Sequence, residues 1–197
     1  LDKHVKNLQS FGQTVVIAFN KFATDTDEEI EVLRKHCEEM GCGFAVNSAF
    51  AEGGNGAIEL ANLVVKTIDE RPSAPLYFAY DDNDSVEEKI EKVAFNLYGA
   101  GSVTLSDSAK AMIEEIKKLG AEKFPICIAK TQYSFSTDAK AYGPTDGFEL
   151  HVRDITVNMG AEMVVVIAGP IMRMPGLPKS PQAERIDVVN GEITGLS

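Results

Sequence analysis

Two apolar runs of strand length, residues 13–19 and Gly43–Asn47, each pass through a short loop into an amphipathic helical pattern. This alternation limits the fold more than any other feature of the chain. From Val15 to Phe19 every position is apolar, as in a strand buried on both faces of a parallel sheet. Thr26 and Glu29 have the spacing of a capping box, which opens a helix over residues 27–40 with Ile30, Leu33, Cys37 and Met40 on one stripe. Gly41 stops that helix, and the glycine-rich loop 48–56 leads into a second helix over residues 57–70. The order strand, helix, strand, helix predicts a βαβα core in an α/β fold.

Pro72 and Pro75 mark the best boundary, dividing the chain into residues 1–71 and 72–197. Beyond it a strand is expected over residues 76–80. Ser85 and Glu88 form another capping box, opening a helix to Tyr98 with Ile90, Val93, Ala94 and Leu97 inward. Ser106 caps a further helix that ends near Gly120, and residues 125–129 read as a compact apolar strand. Residues 148–157 alternate whereas Met163–Ala168 does not, so an outer strand is expected beside an inner one. Asn190-Gly191 signals a closing hairpin between residues 186–189 and Glu192–Thr194.

Thirty acidic against 19 basic residues give a formal charge of -11, without a basic run, so nucleic acid is not an expected partner. No apolar stretch approaches the roughly 20 residues of a membrane span, and a soluble protein is expected. Cys37, Cys42 and Cys127 lack metal-ligand spacing and read as reduced, packed thiols in a cytoplasmic setting. His4, His36 and His151 show no triad spacing and read as structural. The acidic runs 25–31 and 81–88 suit helix starts rather than calcium loops, and no metal site is expected. The first residue is Leu1 and no leader of the secretory type follows it, so the chain is expected to begin in mid-protein.

Asn20-Lys21 stands at the C-terminal end of the first strand, where α/β folds bind ligands. An Asn amide there both donates to and accepts from a purine edge, and the Lys21 stem can cover a ring face. For an isolated Asn-Lys the plainer reading is a loop cap and a solvated lysine. Asn47-Ser48-Ala49 ends the next strand in the same way, and the two together resemble the base-binding loops of P-loop nucleotide hydrolases. Asn20, Lys21, Ser48 and Ala49 are therefore the candidate nucleotide-base residues. No G-x-x-x-x-G-K-[ST] follows anywhere, and Gly53-Gly54-Asn55-Gly56 has no Lys-Ser or Lys-Thr behind it, so the triphosphate has no cradle in this sequence. Residues 1–71 are then expected to be part of a P-loop NTPase-like parallel sheet core, followed by a C-terminal α/β domain.

Phe22 and Phe50 follow the two strands, and Gly53, Gly54 and Gly56 permit close approach of backbone to a flat ligand. Four separated motifs then carry a resemblance across the whole chain: Asn20-Lys21-Phe22-Ala23-Thr24-Asp25-Thr26, Ala129-Lys130-Thr131-Gln132-Tyr133-Ser134, Val152-Arg153-Asp154, and Ile171-Met172-Arg173-Met174-Pro175-Gly176-Leu177-Pro178. In order and spacing they resemble the formate–tetrahydrofolate ligases, of which this chain looks like the C-terminal part. The resemblance implies that Phe22 and Phe50 hold the pterin ring of folate, with Thr24 beside them. It departs from the family at Phe50, where Trp is frequent, and at Ala23, where Pro is frequent. It also implies ATP with Mg and tetrahydrofolate as substrates, formyl phosphate as intermediate, no tightly bound cofactor, and a tetramer when the protein is complete. The phosphate loop and the catalytic groups are expected in the remaining N-terminal part, leaving no catalytic residue here and an inactive fragment.

Lys130, Thr131, Gln132 and Tyr133 are a possible substrate-side polar cluster; a satisfied polar turn and a subunit contact stay open for them. Residues 172–178 read either as a ligand-facing loop or as a rigid packing segment. Two other functions share this pattern: a nucleotide-dependent switch or partition-type ATPase, which requires nucleotide-dependent partner binding, and a non-catalytic oligomerisation module, which assembles without ligand.

Overall fold

The computed structural model describes residues 1–143, 145–171 and 179–195. Helix α1 (Asp2–Ser10) leads into β1 (Val16–Asn20), α2 (Asp27–Glu39) and β2 (Gly43–Asn47), and β1 and β2 pair in parallel with Asn20 opposite Asn47. The expected loop 48–56 is instead two short helical turns, α3 (Ala49–Glu52) and a 3-10 turn (Gly53–Ala57), before α4 (Ile58–Glu70). Gly56 is what permits this folding: a Cβ there would stand 2.5 Å from the Ser48 carbonyl carbon. Val5, Val15, Ile30, Cys37, Cys42 and Phe44 form the core of this half. Strand β1 is less covered than its apolar run suggests, since Ala18 and Asn20 are exposed; among the described residues β2 is its one partner, in a two-stranded sheet.

Helix α4 is apolar on both sides. Leu63 and Thr67 face the strands, while Ile58, Val64, Val65 and Ile68 stay exposed on the far side. No strand forms over residues 76–80: the Tyr77 amide donates to the Phe11 carbonyl at 3.1 Å, and the Tyr80 hydroxyl accepts from the Ile126 amide at 3.1 Å. The run is an aromatic strap, held by single contacts rather than by a ladder.

The second half is built on α5 (Val86–Lys92), which runs into a π-helical turn (Val93–Tyr98), then β3 (Ser102–Leu105), α6 (Asp107–Lys118), β4 (Ile126–Ala129), β5 (Glu149–Asn158) and β6 (Met163–Ala168). The sheet order is β3-β5-β6-β4, with β5 and β6 antiparallel and each outer strand parallel to its neighbour. Strand β5 therefore lies inside the sheet, not at its edge. Its alternation reflects one covered and one open face: Leu150 and Val152 are buried, Glu149, His151 and Arg153 are exposed.

A bulge between Val152 and Asp154 switches the inward positions from even to odd, which keeps Ile155 buried. The Val152-Arg153-Asp154 motif thus has a structural use. The freed Arg153 carbonyl accepts from the Ser106 and Ser108 hydroxyls at 2.6 and 3.1 Å, tying the start of α6 to the sheet. Ile90, Ala94, Ile113, Ile116, Leu150 and Val166 lie at the centre of this larger core. The hairpin β7 (Asp187–Val189) and β8 (Glu192–Thr194) closes the chain around Asn190, whose φ of 54° suits the left-handed turn. Cys37 and Cys42 are buried and their thiols are pushed up by that burial; Cys127 is exposed, contrary to its reading as a packed thiol.

Both expected capping boxes form, Thr26 with Glu29 and Ser85 with Glu88. The backbone N–H groups of Thr26 and Ser85 hold the Glu29 and Glu88 carboxyls below their ordinary value of 4.5. A carboxyl depressed in the folded state stabilises fully above its unfolded pKa, and the contribution disappears as pH falls through the folded one. Thermal denaturation between pH 7 and pH 2.5 should show the melting temperature dropping below about pH 4.5, with a smaller acid dependence in the Glu29→Gln, Glu88→Gln double variant.

Candidate functional site

The two candidate loops leave the C-terminal ends of β1 and β2, which are hydrogen-bonded neighbours. The Asn47 amide donates to the Asn20 side-chain oxygen at 2.8 Å, and the Lys21 N–H donates to the Asn47 carbonyl at 3.0 Å. The Asn20 side-chain N–H donors take no part in this bond. The Lys21 ammonium leans back to Asp27 at 3.4 Å.

Just beyond, the Phe22 N–H donates to the Asp25 carboxylate at 2.7 Å and the Asp25 N–H donates to the Phe22 carbonyl at 3.2 Å. These two bonds close a four-residue turn with Ala23 and Thr24 at its tip, and the Phe22 ring stands 65% exposed beside it. Ala23 occupies the second position of that turn, where Pro is favoured in the common turn types. Asp25, part of the acidic run read as a helix start, turns its carboxylate back three residues to the Phe22 N–H.

On the second loop, Ser48 and Ala49 start α3. Their N–H groups are already used, the first by the Gly56 carbonyl at 3.0 Å and the second by the Asn47 side-chain oxygen at 3.3 Å. A base approaching here meets the Ser48 hydroxyl and carbonyl groups rather than free amides. Phe50, second residue of α3, is 97% exposed. Phe22 and Phe50 make no ring contact with each other, and neither is drawn into a core. Strand pairing therefore brings Asn20 and Lys21 beside Asn47, at the root of the loop that carries Ser48, Ala49 and Phe50, while Phe22 and Thr24 stand on the turn beyond Lys21. A cleft of about 500 Å³ runs along β1 and α2, lined by Phe19, Asp25, Glu28, Glu29, Val32 and Leu33. It contains neither exposed ring, so it lies beside the loop pair and is not the space between the rings.

Lys130, Thr131, Gln132 and Tyr133 lie elsewhere, after β4, on a second cleft closed by α1 and Tyr98. The Lys130 ammonium donates to the carbonyls of Thr131 and Ser134 and sits 4.7 Å from the centre of the Tyr98 ring. Burial pushes its pKa down. Tyr98 gave no signal in the sequence, since the contact joins residues 32 positions apart through the fold. Residues 172–178, named above as a candidate loop, lie outside the described residues. Among the described residues no group of three or more His, Cys, Asp and Glu side chains could hold a metal ion, and no helix is long and apolar enough to cross a membrane.

Two adjacent parallel strands whose following loops carry exposed rings, together with a second mixed sheet, define an α/β protein. The sequence comparisons narrow that class. The family model described as formate–tetrahydrofolate ligase matches residues 1–197, and the chain belongs to that family. It is 64% identical over 197 residues to a formate–tetrahydrofolate ligase of Bacteroides fragilis, 65% to one of Phocaeicola vulgatus and 56% to one of Porphyromonas gingivalis. Each match takes in the whole chain and 36% of the relative's length, so the chain spans about a third of those proteins.

Proposed function

We propose that this chain forms the folate-side and base-side walls of a ligase that uses ATP to join formate to tetrahydrofolate, giving 10-formyltetrahydrofolate through formyl phosphate. The observation that supports this reading most is the exposure of Phe22 and Phe50 on loops that leave neighbouring strands. Rings this exposed contribute little to the fold, so their apolar area stays available for a ligand or partner to bury. A reduced pterin between them would gain about 0.5–1.5 kcal/mol of offset stacking per ring beyond the area it buries. Thr24 offers a hydroxyl beside the same ring. Asn20 reads the purine edge with its free amide donors, the Lys21 stem covers a base face, and Ser48 and Ala49 line the opposite side.

In the reaction, ATP with Mg phosphorylates formate; the N10 amine of the folate then attacks the formyl carbon and expels phosphate. The contribution of this chain is orientation and water exclusion: a clamped pterin fixes N10 against an acyl phosphate that water would otherwise hydrolyse. The groups that stabilise phosphoryl transfer belong to the remaining part of the enzyme, because no phosphate-loop motif occurs among these 197 residues. Residues 1–71 would complete a P-loop NTPase-like core with that part, and residues 72–197 would form the C-terminal domain of a cytoplasmic tetramer that carries no tightly bound cofactor. Lys130, Thr131, Gln132 and Tyr133 would face the substrate side.

Formate-dependent release of ADP tests the division of labour. The isolated chain should give none with ATP, formate and tetrahydrofolate together, whereas turnover by this chain would show that it holds its own phosphate site.

A further inference from the structure

We propose that the cleft between α1 and the segment after β4 is a binding site for a phosphate group, received by the Lys130 ammonium. The cleft holds about 610 Å³ and is lined by polar groups, among them Lys3, His4, Lys130, Thr131 and Gln132. Its cationic lining stands out on a chain of net charge -11. The one carboxylate on its wall, Asp2, is already engaged by His36 at 2.7 Å.

No carboxylate within 4 Å neutralises Lys130 among the described residues. Two of its three N–H donors go to the Thr131 and Ser134 carbonyls, and the Tyr98 ring supports it from one side. These partners hold the ammonium in place and leave its full charge and one donor for an anion. Burial already disfavours that charge, and an arriving anion would offset the penalty. The chemistry favours phosphate over a lone carboxylate. A compact ammonium acts as a point charge rather than a planar fork, and the hydroxyls of Tyr98, Thr131 and Tyr133 can donate to several oxygens of a tetrahedral group. The inference deepens the reading of Lys130 to Tyr133 as ligand-facing and rests on that alone; it stands or falls apart from the ring pair, which is tested with tetrahydrofolate.

The test is titration of the unmodified 197-residue chain with inorganic phosphate at low ionic strength and constant pH, followed by proton NMR of its three histidines. The His4 ring signals should move saturably while those of His151, which lies outside the cleft lining, stay fixed. Calorimetry should then give an affinity lowered on the order of tenfold by Lys130→Gln and largely retained by Lys130→Arg. Lys3→Gln, on the opposite wall, supplies a second variant with no contact to the Lys130 turn and should weaken binding about threefold. Adenosine monophosphate in a parallel arm distinguishes the source: tighter binding than phosphate indicates an esterified phosphate, equal binding a free one. Unmoved His4 signals, movement of His151 equal to that of His4, or undiminished affinity in the folded Lys130→Gln and Lys3→Gln variants would overturn the assignment.

Discussion

Phe50→Ala should weaken tetrahydrofolate binding roughly 30-fold or more while leaving the stability of the chain within about 0.5 kcal/mol of the parent. The two halves of that expectation have separate causes. At 97% exposure the ring contributes almost nothing to a core, so its loss leaves no cavity. A ligand ring laid on it would gain both buried area and stacking, together about 2 kcal/mol. In the complete enzyme the same substitution should raise the tetrahydrofolate requirement far more than the ATP requirement, because Phe50 is not among the proposed base-side residues Asn20, Lys21, Ser48 and Ala49. Calorimetry on the chain and steady-state kinetics on the complete enzyme measure the two effects. An unchanged folate dependence would remove Phe50 from the site.

The largest stability effect is expected at Lys89, where Lys89→Ala should cost about 3–5 kcal/mol in denaturant unfolding. Its side chain is fully buried, and the ammonium donates to the carbonyls of Glu122 at 2.7 Å and Phe124 at 3.2 Å, with the Tyr80 ring 5.7 Å away. Truncation opens a cavity and leaves two carbonyls without their donor. Lys89→Met keeps most of the volume and loses only the hydrogen bonds, so its cost should be about 1–3 kcal/mol. A Met variant as damaged as Ala would mean that the bonds, rather than the packing, dominate at this position.

Lys89 also shows where sequence reading stops. Along α5 and the π-helical turn after it the apolar stripe of Ile90 and Ala94 was legible, and so were the capping boxes of α2 and α5, because those signals are local. A lysine next to that stripe reads as solvent-facing, and only the fold brings the carbonyls of residues 122 and 124 over it. Strand β3 escaped notice for a similar reason: four residues, Ser102–Leu105, carry too short a pattern, and their identity as a strand comes from pairing with β5. The aromatic run 76–80 had the composition of a strand, but among the described residues it pairs with none.

At the candidate site, strand ends and loop residues were legible because Asn20 and Asn47 terminate apolar runs. What the local pattern could not convey was hydrogen-bond allocation. The Ser48 and Ala49 amides are spent on their own turn, and Asp25 fixes the turn that presents Phe22. The Lys130 cluster was legible as polar, yet its setting over Tyr98 depends on tertiary contact.

The central claim is that the rings of Phe22 and Phe50 flank one face each of a bound pterin. Nuclear Overhauser contacts between the ring protons of both residues and the C6 and C7 protons of tetrahydrofolate, recorded on the 197-residue chain, test it most directly. The account expects contacts from both phenyl rings to the same ligand ring, lost from one side in Phe22→Ala and from the other in Phe50→Ala. Saturable binding with contacts to neither ring, or to one alone, would contradict it.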